Sequence, residues 1–421
     1  MSSSYSKLQY IIAIADKKSI SQAARDLYIS QPALTKYIST LEDELGVQLF
    51  DRTSTPIQLT YAGEVYLEYA KLQSGMEKKM RAEMEEISKM KRGRINLGIG
   101  IGQGEYWLPR ILPVFSRLYP GIEVHIYDGF QQDYEEMLDQ EQLDAVHICL
   151  PHYLHLPAVT ACAKRGINVL LEKPSTMNTA ELRQMQALDR EYGFKLAVCF
   201  QNRLNPTFVK LRELIGSGEY GKLLGVKGVA IWSRNMGYYN AAPWRASMAQ
   251  AGGGCMINQA IHTLDQLQLL GGPIRSVNGQ VCNLALKEIE VEDTAVAHID
   301  FENGVTGTFF GTVTYVKNSS IEVQAVCEKG SFTIKDYGLY YAPAENENEK
   351  TLLVRDRRLP GSKTYYGASH VELIRGFYET LAGHEDTCVS IQEDKVISLI
   401  EAIRRSSLEG RTILWKEMEE Q

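Results

Sequence analysis

Two short constellations carry residue types from which proton-transfer chemistry is built. Glu172-Lys173-Pro174 follows directly on the apolar run Asn168 to Leu171, so its lysine stands at the end of a strand. An ammonium disfavoured by burial there could exchange a proton with a hydroxyl. Farther along, AGGGCMINQAIHTLDQL sets Asn258, His262 and Asp265 four and three residues apart, which predicts all three along one side of a helix. His262 is the second candidate acid/base or hydroxyl ligand, Asn258 would orient what binds, and Asp265 could fix the tautomer of the ring. The preceding Gly252 to Gly254 would let backbone approach a ligand. Alone, the lysine reads as a surface group and the histidine as core packing; together they form a pair.

A third set, near the start of the chain, suits a different partner. Leu8, Ile11, Ile12 and Ile14 recur near helical period until Lys17-Lys18-Ser19 breaks it. Ser21-Gln22-Ala23-Ala24 offers an N-cap and small residues for close helix contact, and Ser30-Gln31-Pro32 offers the next cap with proline in the first turn. The helix from Pro32 to roughly Leu45 would bury Leu34, Ile38 and Leu41 while Gln31, Thr35, Lys36 and Ser39 face outward, where they could meet base edges and phosphates. Gly46 stops it, Arg52 to Thr60 reads as a hairpin wing, and another helix begins near Ala62-Gly63. That rhythm predicts a winged helix-turn-helix. The long helix after it carries an apolar stripe, Leu72, Met76, Met80, Met84 and Ile87.

The elements that must position the first two constellations begin at Arg94. Ile95 to Ile101 reads as a strand, Gly102 to Gly104 as a turn, Leu108 to Leu118 as a helix and Val124 to Tyr127 as a strand, one βαβ unit. Strands at Ala145 to Leu150 and Asn168 to Leu171, each followed by turn and helix, extend a parallel sheet whose carboxyl ends bind ligands. Alternating strands follow, with Thr294 to Phe301 and Val305 to Val313 joined by an Asn303-Gly304 turn, and helices from His370 to Leu381 and Lys395 to Ser407 close the chain. The fold class expected is α/β with a winged helix-turn-helix head, a parallel-sheet domain, and an α+β domain with a large antiparallel sheet.

Composition narrows the function classes. With 421 residues, 44% hydrophobic and 23% charged, the chain can fill two or three cores. No run of eighteen apolar residues occurs, and MSSSYSKLQYIIAIADKK has no secretory pattern, which predicts a cytoplasmic protein without a membrane partner. Seven cysteines without a CxxC pair and eight histidines without HExxH argue against disulfides and against a metal. The net charge of -7 means that DNA would be held by a local basic face, with steep salt dependence.

The text SISQAARDLYISQPALTKYISTLEDELGVQLFDRTSTPIQLTYAG resembles the LysR-type transcriptional regulators, and GRINLGIGIGQGEYWLPRILPVFSRLYPGIEVHIYDG continues the resemblance, which spans roughly residues 5 to 129. It implies binding of double-stranded DNA by Ser21, Gln31, Pro32, Thr35, Lys36, Ser39 and Arg52. It also implies pairing of two chains through the long helix, placing two recognition helices on successive half-sites. From about Tyr134, DYEEMLDQEQLDAVHICLPHYLHLPAVTACAKRGINVLLEKP is similar to the second half of a Gfo/Idh/MocA nucleotide-binding domain, and the similarity runs to the end of the chain.

This second resemblance implies a Rossmann-like sheet binding NAD or NADP. Cofactor contacts would come from Gly100, Gly102, Asp128, Pro151, His152, His155, Glu172 and Lys173. Lys173, His262 and Asn258 would be the catalytic residues, with Pro174 closing a cis peptide. Arg203, Tyr239, Trp244, Arg245, Asn258 and Asp265 would meet a sugar or polyol. Many relatives carry aspartate where Asn258 stands, which leaves that position a hydrogen-bonding role. In the family the large sheet supports the pocket and packs against its mate, implying a homodimer or homotetramer.

The chain departs from that family at its first βαβ. A complete member opens with GxGxxG, whose amides hold the cofactor pyrophosphate; here Gly98, Gly100, Gly102 and Gly104 are followed by Glu105. The turn reads equally as a plain loop. Asp128, about 26 residues on, lies near the roughly 20 expected of a ribose-binding carboxylate, or it is a turn aspartate before Gly129. The expected organisation is a DNA-binding domain over 1–63, a linker and dimerisation helix over 64–93, a nucleotide-binding domain over 94–198 whose first part, 94–129, is LysR-like, and a substrate and oligomerisation domain over 199–421. The expected function is a hybrid of DNA-binding head and nicotinamide-dependent oxidoreductase acting on a sugar, cyclitol or similar hydroxy compound. The alternative is a regulator whose enzyme-like body only senses a small molecule. A crossover in a βαβ common to both parents would preserve the period of each.

Overall fold

The computed structural model describes residues 3–54, 56–88, 93–129, 143–346, 348–357, 369–384 and 387–419. The chain divides into two compact units, Met1–Gly93 with Tyr119–Ile122, and Arg94–Leu118 with Glu123–Gln421.

The first unit opens with helices α1 (Ser3–Lys17), α2 (Ile20–Asp26) and α3 (Gln31–Leu45). The cap of α2 is Ser19, whose side chain accepts from the Gln22 amide at 3.4 Å. Ser21, expected to be that cap, instead donates its hydroxyl to Gln31 at 2.9 Å. Ser30 caps α3, and Gly46 ends it at φ +68°. Ile11, Ile14, Ala23, Ala24, Leu34 and Ile38 form the core with Leu49 and Phe50. The wing is a short ladder between β1 (Phe50–Asp51) and β2 (Gln58–Leu59).

Glu42, buried on α3, anchors that wing. Its carboxylate accepts from the amides of Leu49 and Phe50 at 2.8 and 3.1 Å, and from Arg52 at 2.6 Å. The long helix α4 (Tyr61–Ser88) follows. A Cβ at Gly63 would stand 1.9 Å from the Leu49 carbonyl oxygen, so only glycine lets α4 and the wing touch. Leu72, Met76, Met80 and Met84 are exposed along α4; the side chain of Ile87 lies outside the described residues.

The second unit holds two sheets. The smaller has the order β4-β3-β5-β6-β7, from β3 (Gly93–Gly100), β4 (Ile122–Gly129), β5 (Ala145–Ile148), β6 (Asn168–Leu171) and β7 (Leu196–Val198). β3, β5, β6 and β7 pair in parallel. Val169, Leu170, Leu171, Leu196, Ala197 and Val198 are almost wholly buried, as a sheet covered on both faces requires.

The larger sheet has nine strands in the order β15-β14-β13-β12-β8-β11-β10-β9-β16. These are β8 (Leu223–Ile231), β9 (Ile274–Cys282), β10 (Thr294–Phe301), β11 (Thr306–Thr312), β12 (Glu322–Cys327), β13 (Gly330–Lys335), β14 (Gly338–Pro343), β15 (Thr351–Arg355) and β16 (Ile413–Leu414). The sheet is mixed where an antiparallel one was expected, because β8 and β11 pair in parallel. β10 and β11 form the expected hairpin through Gly304 at φ +86°. Burial alternates along β11 and β12, so one face is apolar. The helices Ile261–Gly271 and Val396–Glu409 lie against this sheet.

Candidate functional site

The parallel register aligns Ile148 with Leu171 and Leu171 with Val198. The residues that follow these strands therefore gather at one carboxyl edge, where open α/β sheets take ligands. Glu172 and Cys199 extend the ladder, their amides donating to the carbonyls of Ile148 at 2.9 Å and Leu171 at 2.8 Å. Lys173 is thereby held at the edge, and its Nζ donates to the Asn258 carbonyl at 2.8 Å. The Lys173–Pro174 peptide is cis.

The opposite wall is built on Glu292. A Cβ at Gly254 would stand 1.9 Å from the Glu292 carbonyl oxygen, and one at Gly252 2.5 Å from Met177. The glycines expected to admit a ligand thus admit the chain's own backbone. Cys255 and Met256 donate their amides to Glu292 at 2.9 and 3.1 Å, seating the short helix Cys255–Asn258. That helix ends at Asn258 and a new one starts at Ile261. The single helix expected to carry Asn258, His262 and Asp265 is therefore two pieces, and the break turns the Asn258 carbonyl to Lys173.

His262 is buried against the Phe200 ring, with Nε2 3.2 Å from the Gln201 side-chain nitrogen. Burial, then the positive Lys173, pushes its pKa well below the ordinary imidazole value, so the ring is neutral. His152 is pushed down to about 3 by burial, although its Nδ1 bonds the Ala251 carbonyl at 2.7 Å. Burial also raises the carboxyl of Glu172.

Several expected ligand contacts are replaced by internal ones. Arg203 and Asp265 face each other in a buried bidentate pair at 2.7 and 2.8 Å, with Glu393 adding a contact at 3.2 Å. Although burial opposes its charge, the Asp265 carboxylate holds the Arg203 pKa above its ordinary value. Asp265 therefore anchors Arg203, and Gln201 takes the place expected of it beside His262. Tyr239 is 2% exposed and packs in the core, with its hydroxyl buried and without a hydrogen-bond partner among the described residues. Both ring nitrogens of His155 lie 2.8 Å from backbone carbonyls, those of Pro174 and Leu150; burial lowers its pKa, so the neutral ring donates its single N–H to one of the two, and neither nitrogen is turned to a cofactor.

Tyr238, which the sequence did not single out, takes the position beside the site. Its hydroxyl accepts from Asn258 at 3.4 Å and from Gln259 at 3.2 Å. Arg245 stands 4.6 Å over its ring and 5.5 Å from that of Trp244, which meets His152 edge-on at 4.8 Å. Two consecutive tyrosines on a helix point about 100° apart; choosing between them needed the neighbours.

On the first βαβ, β3 runs straight into the helix Ile101–Leu118. Gly102 and Gly104 therefore lie in the first helical turn and not in a turn before it. Ile99 pairs with His147, which brings the helix start beside the carboxyl edge. The surroundings of Gly100 and Gly102 and the side chain of Asp128 lie outside the described residues, as do residues 130–142.

On the head, Gln31, Pro32 and Lys36 are exposed on α3, and Thr35, Ser39 and Ser21 are half-buried. Arg52 donates to Ser39 at 3.1 Å as well as to Glu42, fixing the wing beside this face.

Comparison with known proteins accounts for both units. Residues 5–64 match the bacterial regulatory helix-turn-helix protein, lysR family; residues 121–200 match the oxidoreductase family, NAD-binding Rossmann fold; and residues 208–333 match the GFO/IDH/MocA C-terminal domain. A probable RuBisCO transcriptional regulator of Thalassiosira pseudonana is 40% identical over 121 residues, 28% of this chain and 39% of that protein. The chain thus spans well under half the length of the regulator it matches. The uncharacterized oxidoreductase YrbE of Bacillus subtilis (strain 168) is 24% identical over 283 residues, 65% of this chain and 78% of that protein. A levoglucosan dehydrogenase in complex with NADH and levoglucosan shares the fold, with a TM-score of 0.63 at 20% identity over 76% of this chain and 99% of its own. The chain thus joins a lysR-family helix-turn-helix over residues 5–64 to Gfo/Idh/MocA-type Rossmann and C-terminal domains over residues 121–200 and 208–333.

Proposed function

We propose that this LysR–Gfo/Idh/MocA fusion binds double-stranded DNA through its head and, through its body, oxidises or reduces a sugar, cyclitol or related hydroxy compound with NAD or NADP. The observation that carries the body's reading is the 2.8 Å contact between Lys173 Nζ and the Asn258 carbonyl, which joins the strand-end lysine to the segment bearing His262. The cofactor fits at the carboxyl edge of the parallel sheet. The helix start at Ile101 offers amide donors for its pyrophosphate, and Pro151, His152, Glu172 and Lys173 follow the neighbouring strands. When bound, the nicotinamide supplies the hydride chemistry.

The chain's own part is to hold the substrate and move a proton. Asn258, steadied by Tyr238, orients a hydroxyl; Arg245 and Trp244 suit the rim of a polyol site by hydrogen bonding and stacking. Lys173 and the neutral His262 exchange the hydroxyl proton as the carbon gains or loses hydride. In the head, Gln31, Thr35, Lys36 and Ser39 meet the groove, and the exposed apolar stripe of α4 pairs two chains. The large sheet serves further assembly to a dimer or tetramer, and the chain works in the cytoplasm. Titration of the full-length protein with NADH and NADPH, followed by tryptophan fluorescence and then a polyol screen for turnover, tests the body; saturable binding with turnover is expected.

A second reading rests on the first βαβ, where Gly102 and Gly104 are helical and the phosphate fingerprint is replaced. Here the body senses a ligand without turning it over. Ligand-dependent operator binding without turnover on any of the polyols would select it.

A further inference from the structure

Linear spacing argued against a metal, but the parallel sheet assembles a ligand set from three strands. We propose that His147, Glu172 and Cys199 form a binding site for a borderline-soft divalent cation of the zinc class. His147 lies on β5, Glu172 just past β6 and Cys199 just past β7. The register pairs His147 with Leu170 and Leu171 with Val198. Strand alternation then puts His147, Glu172 and Cys199 on the same face of the sheet.

One donor atom from each of the three lies within 4.8 Å of the others, and His147 Nε2 is 3.8 Å from Cys199 Sγ. Zinc–nitrogen and zinc–sulfur bonds of about 2.0 and 2.3 Å at a tetrahedral angle put the two donors about 3.5 Å apart. The imidazole and thiol thus stand near chelating distance, with a carboxylate oxygen of Glu172 within 4.8 Å of both. Imidazole, carboxylate and thiolate together suit zinc better than magnesium or calcium, which prefer all-oxygen sets.

Without an ion, burial raises the thiol of Cys199 and the carboxyl of Glu172 and pushes His147 down to about 4. A bound ion would take the Cys199 sulfur as thiolate and the His147 imidazole as neutral, so binding releases a proton.

The test uses the full-length chain, stripped with chelator and titrated with Co2+, then challenged with Zn2+. The expected result is one ion per chain, with a thiolate-to-cobalt charge-transfer band and the visible bands of a four-coordinate ion, both erased by Zn2+. Cys199→Ser should abolish the charge-transfer band and His147→Gln should weaken binding at least ~10-fold, while Cys282→Ser, at an exposed thiol, should leave both unchanged. No band in the folded wild-type chain overturns the proposal, as does a band that survives Cys199→Ser or disappears with Cys282→Ser. X-ray absorption at the zinc edge of the wild-type protein needs no variant: one sulfur near 2.3 Å with nitrogen or oxygen near 2.0 Å, about the usual values, is expected, and a shell without sulfur overturns the site.

Discussion

Replacing Asp265 with asparagine should destabilise the body by a margin that its buried partner sets. The Arg203 and Asp265 side chains are 6% and 2% exposed and share two hydrogen bonds. Removing one member of such a pair leaves a buried charge uncompensated, at a cost of ~3–5 kcal/mol. Glu393 stands 3.2 Å from the guanidinium, but its side chain is 63% exposed, so it recovers at most about 1 kcal/mol. A net loss of roughly 2–4 kcal/mol follows. Urea unfolding of the full-length chain, read by tryptophan fluorescence, gives the loss as a fall in midpoint at unchanged slope. The double variant Arg203→Met with Asp265→Leu removes both charges together and should recover most of it. Asp265→Asn within about 1 kcal/mol of wild type would refute this reasoning, and so would a double variant that loses as much as the two singles summed.

Three further outcomes are expected. Lys173→Ala should abolish turnover while leaving operator affinity unchanged in a gel-shift assay; retained turnover removes the lysine from proton transfer. Asp394, which accepts from Ser175 at 2.5 Å, is pushed up to about 6 by burial, against about 3.9 in an unfolded chain. The native state therefore keeps a proton that the unfolded state releases, and the stability from this group, full below about pH 4, is lost as pH rises through about 6, some 3 kcal/mol in all. Asp394→Asn should thus gain on wild type between pH 4 and pH 7 in urea midpoints, and a constant difference would discard the shift. Lys36→Ala, at an exposed position on α3, should weaken DNA binding alike on all sequences and reduce the salt slope by about 1; an unchanged slope places Lys36 away from phosphate.

Much of the organisation was legible because it depends on local rules. Proline at the start of α3 and glycine at its end mark the helix without reference to any other segment. The run Asn168–Leu171 is a strand within its predicted bounds, and His370–Leu381 is the predicted helix. Periodicity also told the head from the body, since three-and-four spacing gives way to strand texture near Arg94. Caps and breaks were harder: Ser19 rather than Ser21 caps the start of α2, because either serine can accept from an amide and the two stand only two residues apart.

Side-chain partners were the part that sequence left open. The motifs Glu172-Lys173-Pro174 and Asn258 to Asp265 named most of the residues near the site. They did not reveal that Asp265 belongs to Arg203, that Tyr238 faces Asn258, or that His155 lies between two backbone carbonyls. Nor did they bring His147, Glu172 and Cys199 together, since each lies on a separate βα unit and only the parallel register places them on one face. Local propensity and period are properties of neighbouring residues, so the sequence by itself determined most of the elements and their order. Which buried charges meet is settled by desolvation, and that cost exists only once distant segments have packed and excluded water.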